Sequence, residues 1–296
     1  MRSLLFVPGD SARKLQKGVA AGADALIIDL EDSVAAPLKD EARRITAGFL
    51  REARTAAERP LLYVRVNGLA TGQTDADLDG IMPGRPDGIV LPKAVGGRDA
   101  QHLGAKLAVR EASCGHPDGV TRILPIATET AAGVFALGTF AGSSPRLSGL
   151  TWGGEDLSAD LGAEANRGPD GAYMEPYRLA RALTLLGAAA AEVDAVDTVY
   201  TNFRDLDGLA AECRDARRDG FVAKMAIHPA QVAVINEAFT PSADSLAWAR
   251  RVVDLFAAQP GAGVIGLDGE MLDRPHLKRA ERLLRQAGAV SRPSAG

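Results

Sequence analysis

Acidic side chains follow directly after several short apolar runs of the sequence. Glu129 comes after the run 122–127, and Asp156 comes after the run 147–152. If these runs are neighbouring parallel strands, their ends lie about 4.8 Å apart, so the two carboxylates can share one hard cation. With so few protein ligands, that cation would keep water molecules or take substrate oxygens, as Mg2+ or Mn2+ does. The two residues could equally cap the helices that follow, and their spacing alone leaves both interpretations open.

Other charged residues lie at equivalent positions. Asp29, Glu31 and Asp32 follow the second apolar run, and Arg65 lies within the third. The planar guanidinium of Arg65 suits a carboxylate or an enolate oxygen, although a structural ion pair is the alternative. The ends of the runs are therefore rich in carboxylates and carry one well-placed arginine.

Lysine and histidine indicate weaker alternatives. Lys93 and Lys224 admit a Schiff-base mechanism of the kind that metal-independent aldolases use. The chain has only four histidines, and His102 and His116 fall away from the ends of the runs, so a histidine zinc site is not expected. Because acidic groups dominate these positions, the residues favour metal chemistry.

The elements that position these residues alternate along the chain. Continuous apolar runs are typical of parallel strands buried on both faces, and helical patterns lie between them. Eight strands in roughly 230 residues predict a (β/α)8 TIM barrel, with a doubly wound open sheet as the alternative. No G-x-G-x-x-G follows an early strand, which argues against a dinucleotide-binding fold. The predicted strands are 3–7, 25–30, 61–66, 88–91, 122–127, 147–152, 198–201 and 220–227.

The pattern changes towards the carboxyl terminus. Two further helices are predicted over 229–239 and 243–258, followed by a glycine-rich loop and a basic helix that starts at Pro275. The tail 290–296 is expected to be irregular. We therefore predict a catalytic barrel over residues 1–240 and a C-terminal helical arm or lid over residues 241–296, which packs on a neighbouring subunit.

Composition excludes several classes of function. The 296 residues carry 34 basic and 38 acidic side chains, a net charge of −4, which argues against a dedicated nucleic-acid binder. Two cysteines are too few for a disulfide framework. Neither a signal peptide nor a membrane span is indicated, so we expect a cytoplasmic protein with no membrane partner.

Six short motifs occur in order along the chain, namely RSLLFVPGD at 2–10, ADALIIDLEDSV at 23–34, VRVNG at 64–68, GIVLPKA at 88–94, GGEDLSADLG at 153–162 and AIHPAQV at 226–232. In this order they resemble the citrate lyase beta-subunit-like proteins of the HpcH/HpaI aldolase family. This family includes malyl-CoA and citramalyl-CoA lyases. The resemblance implies a (β/α)8 barrel that assembles as a trimer or hexamer and uses Mg2+. It also implies cleavage or formation of a carbon–carbon bond between an oxo acid and an acyl thioester.

The resemblance also implies roles for individual residues around the metal. Glu129 and Asp156 match the family's metal ligands, and Arg65 matches its catalytic arginine. Backbone N–H groups around Gly154 and Glu155, beside Asp156, match those that hold the oxo-acid carboxylate. Gly154 stands where alanine is commoner in the family, a departure that leaves the backbone donors in place.

Further roles concern the thioester and the proton. Phe6 and Pro8 of the FVPG loop, with Arg13 and Lys14, match the region that binds CoA or an acyl-carrier-protein thioester. Asp273 matches a residue that enters the neighbouring subunit's site to transfer a proton, with Asp268 as the alternative. Glu31 is expected to assist at the catalytic centre, and with Asp32 to position water or ligand around the metal.

These residues together predict a reverse Claisen cleavage of a 3-hydroxy-3-carboxyacyl thioester such as citryl-, citramalyl- or malyl-CoA. Arg65 would stabilise the enolate oxygen, and Asp273 would transfer the proton. Three alternatives remain at this point. They are a malyl-CoA-type thioesterase on the same site, a CoA-independent aldolase of the HpaI type, and a non-catalytic subunit of a larger lyase complex.

Overall fold

Eight parallel strands form the centre of the computed structural model, which describes residues 1–291. They run in the order β5-β4-β3-β2-β1-β8-β7-β6, so chain neighbours are also neighbours in the sheet apart from the step between β5 and β6. The apolar, β-branched runs form these strands because both of their faces are covered. The strands are β1 (Ser3–Pro8), β2 (Ala25–Asp29), β3 (Leu61–Arg65), β4 (Gly88–Leu91), β5 (Arg122–Pro125), β6 (Gly149–Thr151), β7 (Asp194–Asp197) and β8 (Ala223–Ala226).

The sheet closes on itself between β5 and β6 through isolated bridges rather than a continuous ladder. Ile123 pairs with Leu147 and Ile126 pairs with Thr151, both in parallel. The Ala127 N–H donates to the Thr151 carbonyl at 2.8 Å. The eight strands thus form a nearly closed barrel, which confirms the predicted TIM-barrel fold and rules out the open sheet.

Helices surround the barrel and connect its strands. Each helix presents an apolar face to the outer surface of the strands, while small and branched side chains such as Leu4, Ile27, Val90 and Val196 fill the interior. The barrel helices are α1 (Ala12–Val19), α2 (Lys39–Ala53), α3 (Thr74–Ile81), α4 (Gly97–Cys114), α5 (Ala131–Ala136), α6 (Gly154–Leu161), α7 (Glu175–Ala190), α8 (Leu206–Asp219) and α9 (Pro229–Phe239).

The seventh strand is not where the sequence predicted it. The apolar run 198–201 is a loop, and β7 occupies the four preceding residues. The sequence misled because Asp197 breaks the apolar pattern, yet it is fully buried. Its charge is neutralised by Lys224 of β8, whose Nζ lies 2.8 Å from Asp197 Oδ2.

The C-terminal residues form a separate small apolar cluster. It contains α10 (Ala243–Ala258), a hairpin of β9 (Val264–Leu267) and β10 (Glu270–Asp273), and α11 (Arg274–Ser291). The hairpin corrects the predicted loop, since Ile265 and Leu272 alternate with exposed residues and seal the cluster. The predicted irregular tail 290–296 begins within α11, and residues 292–296 lie outside the described chain. Among residues 1–291, no helix has the length and apolar character that a bilayer span requires.

A buried ion pair stabilises the amino-terminal end of the barrel. Arg146 donates two hydrogen bonds to the carboxylate of Glu111, at 2.7 and 2.8 Å, and both side chains are buried. The N–H groups of Gly119 and Thr121 donate to the same carboxylate. Burial alone would raise the pKa of Glu111, but these donors lower it to about 2.

The Glu111 pair is expected to make stability depend on acid pH. Because the folded pKa of Glu111 lies below its ordinary value of 4.5, the stabilisation is complete above pH 4.5 and is lost as pH falls towards 2. Glu111→Gln should therefore lower the free energy of unfolding by about 3 kcal/mol at pH 7 and by less below pH 4. Urea unfolding at both pH values tests this, with the exposed Glu175→Gln as control. A deficit that does not shrink in acid contradicts the assignment.

Candidate active site

A cavity of about 470 Å3 opens at the carboxyl ends of the barrel strands. In a barrel this end is formed by loops that are free to carry reactive groups while the strands hold them in place. The cavity brings together nine of the residues singled out from the sequence. They are Phe6, Pro8, Asp29, Asp32, Arg65, Glu129, Gly154, Glu155 and Asp156.

Arg65 is held rigidly at the end of β3. Its Nε and Nη2 donate to the two carboxylate oxygens of Asp29 at 2.7 and 2.8 Å, and its guanidinium lies 4.9 Å from the Phe6 ring centre. Burial would raise the pKa of Asp29, but the hydrogen bonds from Arg65 lower it below its ordinary value. Arg65 therefore forms a structural ion pair and also faces the cavity, since its remaining N–H groups are not used by Asp29.

Glu129 is a buried carboxylate in an environment that disfavours its charge. Burial, with the nearby carboxylates of Asp156 and Glu31, raises its pKa to about 8. One Glu129 oxygen accepts a hydrogen bond from the backbone N–H of Lys93, a residue with a left-handed φ of 52°. The strained backbone at Lys93 thus points a donor at Glu129 and leaves its second oxygen available to a ligand.

Lys93 is more central than the sequence indicated. Its Nζ lies 2.7 Å from Glu31 Oε1, 3.3 Å from Asp156 Oδ1 and 3.7 Å from Asp32 Oδ2. Burial lowers the pKa of Lys93, but the carboxylates of Glu31, Asp156 and Glu129 outweigh it and raise the pKa above its ordinary value, so the amine is protonated. A protonated amine is not a nucleophile, which argues against the Schiff-base alternative.

Glu31 lies between the cationic side chains of Lys93 and Arg65, with one carboxylate oxygen near each. Its Oε1 accepts from Lys93, whereas its buried Oε2 has no hydrogen-bond partner although Arg65 Nη1 is 2.9 Å away. Burial raises the pKa of Glu31, and the two cations oppose this shift. Glu31, Glu129 and Asp156 form a carboxylate cluster beside two cations, Lys93 and Arg65, and Arg65 is shared with Asp29, so the cluster carries more negative charge than these cations neutralise.

The carboxylate cluster fits a divalent cation that has few protein ligands. Within residues 1–291, no group of three acidic, histidine or cysteine side chains is arranged as a complete metal site. Glu129 and Asp156 both face the cavity, and a cation there would offset the charge that raises the pKa of Glu129. The remaining coordination positions are then open to water or substrate, as Mg2+ sites usually require.

The turn after β6 places backbone donors in the cavity. Gly153 is the N-cap of α6, and Gly154, Glu155 and Asp156 form its first turn. The first N–H groups of a helix have no partner within it and bind anions. Glu155 is turned aside, since its Oε1 accepts from Asn166 Nδ2 at 2.8 Å.

The remaining residues singled out from the sequence lie outside the cavity. Arg13 and Lys14 are exposed in the first turn of α1, directly after the loop that ends β1. Asp273 is half-exposed at the end of β10, with its Oδ1 2.6 Å from His276 Nδ1. The alternative, Asp268, forms a bidentate pair with Arg251. This chain alone therefore does not bring either aspartate into its own cavity.

Sequence reasoning missed one contribution to the site and wrongly considered one residue that lies outside it. Asp29 was noted only as an acidic residue after a strand, yet it fixes the orientation of Arg65. Lys224 was considered as a nucleophile, but it is fully buried on the outer side of the barrel, paired with Asp197 and Glu212. The alternation of side chains along β8 could have shown this, because Ala223 and Met225 face the interior and Lys224 between them must face outwards.

Comparisons with known proteins agree with this geometry. The family model described as HpcH/HpaI aldolase/citrate lyase matches residues 2–229. The chain belongs to this family. A second model, described as a carbon–carbon bond lyase of the TIM-barrel fold, matches residues 175–291. The family resemblance drawn from the motifs is confirmed, and so is the expected enzyme class of carbon–carbon lyases.

Two relatives and one solved structure show the range of the family. A citrate lyase subunit beta-like protein of Mycobacterium tuberculosis is 36% identical, covering 97% of this chain and 96% of that protein. A (3S)-malyl-CoA thioesterase of Cereibacter sphaeroides is 35% identical over 98% of this chain and 95% of that protein. The crystal structure of M. tuberculosis CitE with magnesium, acetoacetate and coenzyme A superposes with a TM-score of 0.74. It is 35% identical and covers 97% of this chain and 98% of that chain.

Proposed function

We propose that this protein is a Mg2+-dependent lyase that cleaves or forms a 3-hydroxy-3-carboxyacyl thioester such as citryl-, citramalyl- or malyl-CoA. The products of cleavage are an oxo acid and an acyl thioester. The observation that carries the proposal is the meeting of Glu129, Asp156 and Arg65 in one cavity. The M. tuberculosis structure with magnesium, acetoacetate and coenzyme A supports the ligand classes.

The proposed reaction is a reverse Claisen cleavage. The substrate hydroxyl gives its proton to a carboxylate base, the role proposed below for Asp273 of a neighbouring subunit, which later returns it to the enolate carbon. The adjacent C–C bond breaks, and its electron pair forms the enolate of the acyl thioester. When bound, Mg2+ supplies a Lewis acid that stabilises negative charge on the hydroxyl oxygen. Arg65 stabilises the enolate oxygen with N–H groups that Asp29 does not use. The enolate carbon then takes a proton to give the free acyl thioester.

The two ends of the substrate are recognised by different parts of the cavity. The free backbone N–H groups at the start of α6, around Gly154 and Glu155, hold the oxo-acid carboxylate. Phe6 and Pro8 form the apolar wall beside Arg65 for the thioester arm. Arg13 and Lys14, exposed at the same end of the barrel, bind the phosphates of the carrier.

A product assay tests the proposal. Purified protein with Mg2+ is given malyl-, citramalyl- and citryl-CoA, and products are separated by mass spectrometry. An oxo acid with an acyl-CoA supports the lyase. The Cereibacter relative makes a thioesterase the second candidate, and free hydroxy acid with CoA would select it. Cleavage only of substrates without CoA indicates an HpaI-type aldolase, and turnover only with added partner subunits indicates a non-catalytic component.

We further propose that Asp273 of a neighbouring subunit in a cytoplasmic trimer or hexamer donates the proton. Asp273 is half-exposed outside its own barrel, on the predicted arm 241–296. Glu129→Gln and Asp273→Asn should each inactivate alone. Co-expressed as mixed rings, they should recover about a quarter of wild-type activity, because one site in about four combines both intact residues. Mixed rings of verified composition that remain inactive contradict the shared site, and Asp268→Asn serves as the control for the alternative aspartate.

Two neighbouring glycines offer a matched test of Glu129 positioning. A Cβ at position 153 would lie 2.9 Å from Glu129 Cγ, whereas one at position 154 meets Trp152 and Tyr173 ring atoms at an ordinary 3.4 Å. We expect Gly153→Ala to displace Glu129 and weaken Mg2+ binding about 10-fold. Gly154→Ala should bind within about 2-fold of wild type, because its contact needs no displacement. Calorimetric titration with Mg2+ measures both, and equal affinities would show that Glu129 tolerates the movement.

A further inference from the structure

We propose that Asp197 and Lys224, buried behind the cavity, are positioning residues that act through Trp152 to fix the turn Gly153–Asp156. This inference rests on the proposed function, because that turn carries the second metal carboxylate and the backbone donors. Neither residue touches the cavity, and their link to it is a chain of hydrogen bonds and packing contacts.

The first link is a hydrogen-bonded set of three buried side chains. Trp152 Nε1 donates to Asp197 Oδ1 at 2.7 Å, and Lys224 Nζ donates to Asp197 Oδ2 at 2.8 Å. All three side chains are fully buried. Arg181 Nε also donates to Asp197 Oδ1, at a longer 3.4 Å. Each oxygen of Asp197 therefore has a strong donor, which fixes the carboxylate and, through it, the plane of the indole ring.

The second link joins the indole ring to the turn. Trp152 lines the cavity and directly precedes Gly153 in the chain. A Cβ at Gly154 would lie 3.4 Å from the indole Cζ3, so the ring packs against the start of α6. Tyr173 meets the other part of the ring edge-on, with ring centres 5.0 Å apart. Rotation of the indole would therefore displace the helix start that holds Asp156.

The third link explains why the charges are retained. Lys224 Nζ also donates to Glu212 Oε1 at 2.7 Å, and Glu212 pairs with Arg167, whose guanidinium stacks 3.6 Å above the Tyr173 ring. The network thus supports both aromatic rings from behind. Replacing a buried ion pair by apolar residues often leaves stability unchanged. The stability of the fold therefore does not explain why Asp197 and Lys224 are both charged. The orientation of Trp152 does, because its indole N–H requires an acceptor, which Asp197 provides.

The experiment compares variants of this network with a second buried ion pair. Asp197→Leu with Lys224→Met removes both charges and keeps the volume, and Arg146→Met with Glu111→Leu does the same at the opposite end of the barrel. We expect the first double variant to bind Mg2+ alone about 10-fold more weakly and the control to bind like wild type. Calorimetry of the metal-free proteins measures both, at a temperature where each is folded.

A spectroscopic readout reports on the link itself. The chain has two tryptophans, so a Trp248→Phe background leaves Trp152 as the only indole. Its emission, and the change in emission on Mg2+ addition, should differ in the Asp197→Leu/Lys224→Met variant and remain unchanged in the control. Trp152→Phe keeps both charges and removes the indole N–H, so it should weaken Mg2+ binding even where the double variant does not fold.

The outcomes separate this inference from the proposed function. Unchanged Mg2+ affinity in the folded double variant or in Trp152→Phe, with wild-type protein binding Mg2+, overturns the positioning role. If the wild-type protein binds Mg2+ but gives no lyase products, the proposed function is contradicted. The Mg2+ affinities of the variants still test the positioning role in that case.

Discussion

Glu129→Gln is expected to abolish Mg2+ binding and to lower turnover by about 10³-fold or more. The substitution keeps the shape of a side chain that is 3% exposed, so the barrel should fold normally. It removes the negative charge that a divalent cation requires from one of two carboxylates facing the cavity. Calorimetry with Mg2+ and the rate of product formation measure the two effects. Glu155→Gln, which alters a neighbouring carboxylate turned towards Asn166, should change neither strongly.

The same variant should behave oppositely in a stability measurement. In the metal-free protein burial raises the pKa of Glu129 to about 8, above its ordinary value of 4.5, so stability is lost progressively as pH rises from about 4.5 to 8 and the full cost is present above pH 8. Glu129→Gln should therefore unfold at a higher temperature than metal-free wild type above pH 8. Intact Mg2+ binding and turnover in this variant would falsify the metal assignment.

Arg65→Met is expected to lose both activity and stability. Asp29 is 2% exposed, and removing its bidentate partner leaves a buried, uncompensated charge, which typically costs about 3–5 kcal/mol. The loss of stabilisation at the enolate oxygen should lower turnover by about 10²–10³-fold. Urea unfolding and steady-state rates at saturating Mg2+ measure the two effects.

A second substitution separates these effects of Arg65. Asp29→Leu in the Arg65→Met background removes the orphaned carboxylate and should recover most of the lost stability without recovering turnover. Arg251→Met removes an equally bidentate but exposed pair with Asp268, and it should leave stability close to wild type. Recovery of turnover in the double variant would show that Arg65 serves the fold alone.

The barrel could be predicted because the same sequence pattern, an apolar run followed by a helix, recurs along the chain. Eight apolar runs with helices between them are compatible with few other folds. A parallel strand that is buried on both faces can be recognised from its own apolar residues, without knowing which strands it pairs with. The seventh strand was misplaced because a single buried charge, Asp197, depends on Lys224 for its neutralisation. The hairpin formed by β9 and β10 was missed because glycines separate its few apolar residues.

The site was predicted less completely than the fold. Glu129, Asp156 and Arg65 could be found because carboxylates and arginine at strand ends are visible one residue at a time. The orientation of Arg65 by Asp29 and the approach of Lys93 to Glu31 depend on contacts between strands far apart in sequence. The left-handed backbone conformation at Lys93 could not be predicted, because the residue there is lysine rather than glycine.

If Glu129 and Asp156 hold the metal as proposed, the discontinuity between β5 and β6 gives that metal a second role. These two strands are joined only by isolated bridges, and Glu129 and Asp156 follow one edge each. A cation shared by the two carboxylates cross-links the barrel where its hydrogen-bonded ladder is weakest. The free energy of metal binding is then also free energy of ring closure, so metal loading and resistance to local opening rise together.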